Sequence, residues 1–276
     1  MLKTLLSLFE KIFYILKYPR QDSKENIGEF ATLSLEKEID ALPHEERAVE
    51  ADEWDGNIED FEPAPPKKPS FFEKIPPVRN MYPASGLVIL WLILSFYQWS
   101  RSGWNGEVSQ KSLFLDREYW RLGTALFVHK DMGHLLSNTP LFLVFGYFLR
   151  GFFGIFVFPV AALIAGILAN YCTILFYPPD VRLLGASGMV YAMVAMWIVF
   201  YLQFEIGLKW RIRVLRALGV SLLLLFPTTF QPEVSYLAHG FGFVMGLLIG
   251  LILVPIIQKS LLAHRANRVE LQNVEH

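Results

Sequence analysis

The chain has 276 residues, 53% of them hydrophobic and 18% charged, with a formal net charge of −1. That is too apolar and too lightly charged for an ordinary soluble domain. The single cysteine, Cys172, excludes an internal disulfide and any cysteine-based metal cluster. The small net charge hides an asymmetry, because residues 22–62 carry 15 acidic and 3 basic side chains while residues 63–276 carry 10 and 18. The basic residues fall mostly between apolar runs. That pattern fits a membrane protein whose loops set its topology, rather than a nucleic-acid binder.

Residues 1–20 place Leu2, Leu5, Leu6, Phe9, Ile12, Phe13 and Leu16 at helical spacing, interrupted by Lys3, Glu10, Lys11 and Lys17. The uninterrupted apolar centre of a secretory signal is missing. An amphipathic helix is expected, lying on the membrane or docking on a protein surface. Residues 21–80 form an acidic region followed by a linker. The acidic part is expected to be largely disordered and runs into Pro63-Ala64-Pro65-Pro66.

About 20 mainly apolar residues are needed to cross the hydrocarbon. Six segments approach that criterion, at roughly 83–99, 133–149, 153–176, 186–204, 214–229 and 235–257. The fold expected is an all-α membrane bundle of six transmembrane helices over 81–258, with a long external first loop over 100–132. A short tail, 259–276, follows. Arg150, the Lys209–Arg216 link and the basic tail all agree with the positive-inside rule if they and both termini are cytoplasmic. The first loop holds Arg101, Lys111, Arg117, Arg121 and Lys130 yet must then be external, a mild conflict.

Span four opens with Gly185-Ala186-Ser187-Gly188. A buried serine becomes a nucleophile only when a base reaches its proton. Span six offers one, His239, in Ala238-His239-Gly240-Phe241-Gly242. In the topology above, both residues lie at similar depth below the external surface. Gly242, Gly246 and Gly250 recur every fourth residue on span six, and Gly188, Ala192 and Ala195 lie on one side of span four. Such small-residue faces permit close helix approach, for packing alone or to bring Ser187 toward His239. In span two, His134 and Asn138 share a helix face. They could donate to a tetrahedral oxyanion, or simply hydrogen-bond between helices.

In these residues the chain resembles the rhomboid family of intramembrane serine proteases. Trp120-Arg121, His134-x-x-x-Asn138, Gly185-Ala186-Ser187-Gly188 and Ala238-His239-x-x-Gly242-x-x-x-Gly246 carry the resemblance, across roughly residues 80–257. It implies a Ser187–His239 dyad without an aspartate. It also implies an oxyanion hole of His134, Asn138 and the Ser187 N–H, with Tyr191 packing on the histidine. Gly185 and Gly188 support the site. Trp120 and Arg121 match a structural pair, and His129 matches a positioning histidine. Residues 229–236, with Phe230, would form a cap, and span five a lateral gate.

The implied activity is hydrolysis of peptide bonds in or beside transmembrane segments of protein substrates, with no metal or cofactor. The partners implied are those substrates and the lipid bilayer; no nucleic acid is expected, and oligomeric state does not follow. The main alternative is a non-catalytic relative that binds transmembrane segments. A small transporter would call for intramembrane carboxylates or an internal repeat, and neither is clear. One departure is Thr139-Pro140 directly after Asn138, which removes a helix hydrogen bond and could redirect the amide. An Arg-rich, acid-poor transit peptide is not recognisable. This favours a prokaryotic plasma membrane over an organelle.

Overall fold

The computed structural model describes the backbone of residues 70–100, 103–225 and 235–274, and their side chains except at 223–225 and 264–274. The helix expected over 1–20, the acidic region and Phe230 of the expected cap lie outside these residues.

The architecture is all-helical, with no strand among the described residues. Six helices organise it: α1 (Tyr82–Trp99), α2 (Met132–Phe153), α3 (Ala162–Phe176), α4 (Ser187–Phe204), α5 (Trp210–Leu225) and α6 (Tyr236–Val274). A 3₁₀ turn, Val78–Met81, leads into α1, and a wide π-type turn, Phe156–Ala161, leads into α3. In a bilayer every backbone polar group must be bonded within the segment, so apolar runs of this length adopt helix.

Five of the helical segments are long and apolar enough to cross a membrane: Val78–Trp99, Met132–Phe153, Phe156–Phe176, Ser187–Phe204 and Tyr236–Ala263. This is an integral, multi-pass membrane protein. The expected fifth span is represented by α5, whose described part is 16 residues, with Arg211, Arg213 and Arg216 in its first two turns. At ~1.5 Å per residue that part is roughly 24 Å long, short of the ~30 Å hydrocarbon thickness. α3 begins at Ala162, after the π-type turn, rather than at the expected 153; the far ends of α2 and α6 also differ from expectation for local reasons. α2 absorbs Arg150 and stops only where Gly154 takes φ +86°, a conformation that suits glycine. α6 runs on through Pro255 to Val274, since the basic tail contains no breaker.

At the centre is α4, buried almost continuously from Gly188 to Met196. It packs most extensively on α6, and also on α3, α2 and α5. The α4–α6 seam is made by missing side chains. A Cβ on Gly242 would lie 2.1 Å from the Gly188 carbonyl oxygen, and one on Gly246 would lie 2.2 Å from that of Ala192. The two backbones touch, as small-residue faces in membranes allow.

Candidate active site

The chain leading into Ser187 is held by the connection between α1 and α2. Val108 and Leu183 form an antiparallel bridge, with N···O distances of 3.0 and 2.8 Å. The Gly185 N–H donates to the Ala125 carbonyl at 2.8 Å. Gly185 takes φ +107°, where a side chain would be strained, and a Cβ there would meet the His134 ring at 2.5 Å. The glycine thus serves both the turn and the seating of His134. One residue later, the Ala186 N–H points at His129 Nε2, 3.5 Å away. Half-buried Ser187 then begins α4. The first N–H groups of a helix have no intrahelical acceptor, and the partial positive end of the helix dipole favours negative charge there.

His239 lies one turn into α6. Ser235 caps that helix, its Oγ accepting the Ala238 N–H at 3.1 Å while its carbonyl accepts the His239 N–H at 3.1 Å. The Tyr177 hydroxyl shares a hydrogen bond with the Ser235 hydroxyl, tying the cap to the end of α3. Tyr191 stacks on the His239 ring, with centroids 4.1 Å apart and planes 15° apart. Tyr236 stands edge-on to the same ring at 6.0 Å and 81°. The buried His239 Nδ1 has no hydrogen-bond partner.

Helix geometry relates these residues. Tyr191 is four residues after Ser187, so both lie on one face of α4. The ring stacked on Tyr191 is therefore carried to the face that bears Ser187. The backbone approach of Gly188 to Ala238 lies one residue from each, and that of Gly188 to Gly242 lies one residue from Ser187 and three from His239. Among the described residues no hydrogen bond joins Ser187 to His239. In free enzymes such bonds are often long and tighten when substrate binds.

Asp131 caps α2 through Oδ1, which accepts the His134 N–H at 2.8 Å. The His134 ring rests against Gly185, at the lead-in to the serine. Asn138 is buried one turn below, and its Nδ2 donates to the His134 carbonyl at 3.0 Å. One of its two amide hydrogens is thus committed to its own helix. The Thr139-Pro140 step does not interrupt α2, which is continuous from Met132 to Phe153. Side chains bond the carbonyls near the proline: Ser137 Oγ donates to the His134 carbonyl at 2.8 Å and Thr139 Oγ1 to that of Leu135 at 2.9 Å.

Fully buried His129 sits between α1 and this lead-in. Its N–H donates to Ser95 Oγ at 3.1 Å, its carbonyl accepts from Trp99 Nε1 at 2.8 Å, and its ring packs 5.1 Å from that of Trp91. Burial, aided by the nearby His134, pushes its pKa down to about 3. The ring is neutral at physiological pH and can accept from the Ala186 N–H.

Arg121 lies 4.8 Å over the Trp120 ring and ties the connection together. It pairs with Glu118 and donates to the carbonyls of Asn105 and Glu107. Ser235, Tyr177, Tyr236 and Ser95 were not singled out from the sequence. The Ser235 cap could have been read from a serine three residues before Ala238, but the aromatic contacts needed the fold. Among the described residues no group of three or more His, Cys, Asp or Glu side chains could hold a metal ion.

The rhomboid domain family matches residues 116–256. A Bacillus subtilis (strain 168) protein named "Putative rhomboid protease YdcA" is 27% identical over 169 residues, covering 60% of this chain and 83% of that protein. A protein of Arabidopsis thaliana named "RHOMBOID-like protein 9, chloroplastic" is 29% identical over 87 residues, which is 32% of this chain and 20% of that one.

Proposed function

This chain belongs to the rhomboid family, and on that premise we propose that it is an intramembrane serine protease acting through Ser187 and His239. The observation that carries the assignment is the Tyr191–His239 stack across the α4–α6 seam. It brings a histidine ring to the face of α4 that presents the serine. The proposed substrates are membrane proteins cut in or beside a transmembrane segment. A helix keeps its carbonyls bonded within itself, so the substrate must unwind locally at the cut.

In this mechanism His239 Nε2 takes the Ser187 hydroxyl proton as Oγ attacks the scissile carbonyl carbon. The oxyanion is received by the Ser187 N–H, His134 and the remaining Asn138 amide hydrogen. His239 returns the proton to the leaving amine, and an acyl-enzyme remains. Water, activated by His239, then releases the second product. Among the described residues no carboxylate orients the imidazole. Tyr191 on one side and Tyr236 on its edge hold the ring instead, with the proton of the neutral form on Nδ1. The proposed orientation places the site toward the external surface and both termini in the cytoplasm.

The test uses the full chain in detergent or liposomes with a fluorescent fluorophosphonate and a single-span reporter protein. Labelling and cleavage are expected to vanish in Ser187→Ala and to fall sharply in His239→Ala, with unchanged thermal unfolding. A folded protein that neither labels nor cleaves, beside an active membrane serine protease, would return the chain to the non-catalytic reading. Co-purifying single-span proteins would then be the object to find.

A further inference from the structure

The residues just before α1 are seated in the bundle rather than trailing from it. Phe72 is 2% exposed. Its ring lies 4.9 Å from that of Phe152 on α2, and 5.0 Å from Trp197 and 6.0 Å from Tyr201 on α4. Phe71 spans the same pair of helices, at 5.8 Å from Phe153 and 5.2 Å from Phe204. Ser70 donates its hydroxyl to Glu205, a buried carboxylate just past α4 that also accepts the Gly207 N–H at 3.0 Å. At the other end of the segment, the Tyr147 hydroxyl of α2 donates to the Pro76 carbonyl. Pro76 fits there because position 151 has no side chain; a Cβ would lie 2.4 Å from it.

We propose that Ser70–Pro76 is a strap that sets the alignment of α2 against α4, and that its aromatic pair, Phe71 and Phe72, are positioning residues for the chemistry at the far end of those helices. The proposal rests on the reading above, in which α2 carries the oxyanion donors and α4 the nucleophile. α2 has a tight contact about two-thirds of the way along: a Cβ on Gly146 would lie 2.9 Å from Ala84 on α1 and 2.9 Å from Phe158. His134 is ~18 Å from that contact along the helix and Phe153 ~10 Å on the opposite side, at 1.5 Å per residue. A rigid α2 rocking on Gly146 turns a shift of ~1 Å at the strap into nearly ~2 Å at His134. A misplacement of ~1 Å in a reacting constellation costs on the order of 10²-fold in rate. Buried aromatic clusters have few alternative packings, so the strap holds one alignment.

The test measures geometry and turnover separately. Spin labels at Leu136→Cys and Leu251→Cys, both exposed positions on α2 and α6, in a Cys172→Ser background, report the external end of α2 against the α4–α6 pair. Phe72→Asn is expected to shift or broaden that distance by about 2 Å and to lower kcat for the single-span reporter at least 10-fold, with KM little changed. Phe72→Met, which keeps the site apolar and nearly filled, is expected to restore most of both. Ser70→Ala gives a smaller change in the same direction, and decides the matter if Phe72→Asn does not fold. An unchanged distance in the folded variant overturns the proposal whether or not the wild type is a protease. A shifted distance with unchanged turnover overturns the positioning role. A wild type with no activity refutes the protease reading instead, and the distance comparison still stands or falls alone.

Discussion

Replacing Gly242 by alanine tests whether the α4–α6 seam sets the site. The new Cβ would lie 2.1 Å from the Gly188 carbonyl oxygen, an atom of the backbone with no rotamer to yield. Ordinary carbon–oxygen contacts begin near ~3.3 Å, so the helices must part by roughly 1.2 Å. That displacement falls one residue from Ser187. The expected loss is on the order of 10²-fold in the rate of fluorophosphonate labelling, equivalent to ~2.7 kcal/mol of barrier. Stability should change less. Overpacking costs about 1–3 kcal/mol, and the gain in helix propensity from glycine to alanine offsets up to ~1 kcal/mol. Gly240→Ala is the matched control, because no atom outside its own turn lies within 4 Å of a Cβ there. It is expected to label within about 2-fold of wild type. The assay is the second-order labelling rate of both variants, with thermal unfolding measured in the same detergent. Wild-type labelling by a folded Gly242→Ala would mean that seam spacing does not govern the dyad.

Tyr191→Leu should lower reporter cleavage about 10-fold, since an aromatic stack contributes ~0.5–1.5 kcal/mol beyond burial. Tyr191→Phe keeps the ring and is expected to stay near wild type; equal losses in both would place the effect in the hydroxyl. His134→Ala should cost ~10²-fold or more in kcat, as loss of an oxyanion donor does. Asn138→Ala should cost less, because half of its donor capacity already serves the His134 carbonyl; the reverse order in kcat would contradict this arrangement. His129 predicts a pH effect on stability. Its pKa is about 3 when folded and 6.5 ordinarily, so the unfolded chain binds the extra proton and stability falls as pH drops from 6.5 toward 3. The slope approaches ~1.4 kcal/mol per pH unit. Unfolding midpoints from pH 7.5 to 4 should fall less steeply in His129→Asn; parallel curves would remove His129 as the cause.

The apolar runs were readable because a bilayer leaves few choices of backbone structure, and α1, α2 and α4 fall within about four residues of their expected positions, whereas α3 begins at Ala162, nine residues after the expected 153, because the wide turn Phe156–Ala161 precedes it. Charge positions said less about ends: α5 begins at Trp210, four residues before the expected 214, since nothing in Trp210–Arg213 resists helix. The strap was hidden. Phe71 and Phe72 stand in a stretch of prolines and lysines with no periodicity, and their burial depends on aromatic residues 80 to 130 positions away. Within the site, Ser187, His239, His134 and Asn138 could be chosen from residue type and motif order. The Tyr191 stack followed only from family resemblance, and the commitment of the Asn138 amide to its own helix depends on a rotamer that no spacing reveals. Pro140 removes the N–H that would bond the Leu136 carbonyl, yet α2 runs on unbroken from Met132 to Phe153.

The lead-in to Ser187 is fastened mainly by chain that lies outside the spanning helices. Glu107 beside the Val108–Leu183 bridge accepts from Gln98 at 3.1 Å and pairs with Arg182 at 3.3 Å. Glu107 and Arg182, with Glu118 and Arg121, line a polar cavity of about 210 Å³. In the orientation proposed above, the turn that presents Ser187, the proposed nucleophile, is therefore addressable from the aqueous phase. A water-soluble compound that wedges this cavity acts on the bridge, and through two residues of backbone on the turn that presents the serine, without ever partitioning into lipid. On the protease reading, inhibitor chemistry need not be built on a hydrophobic scaffold.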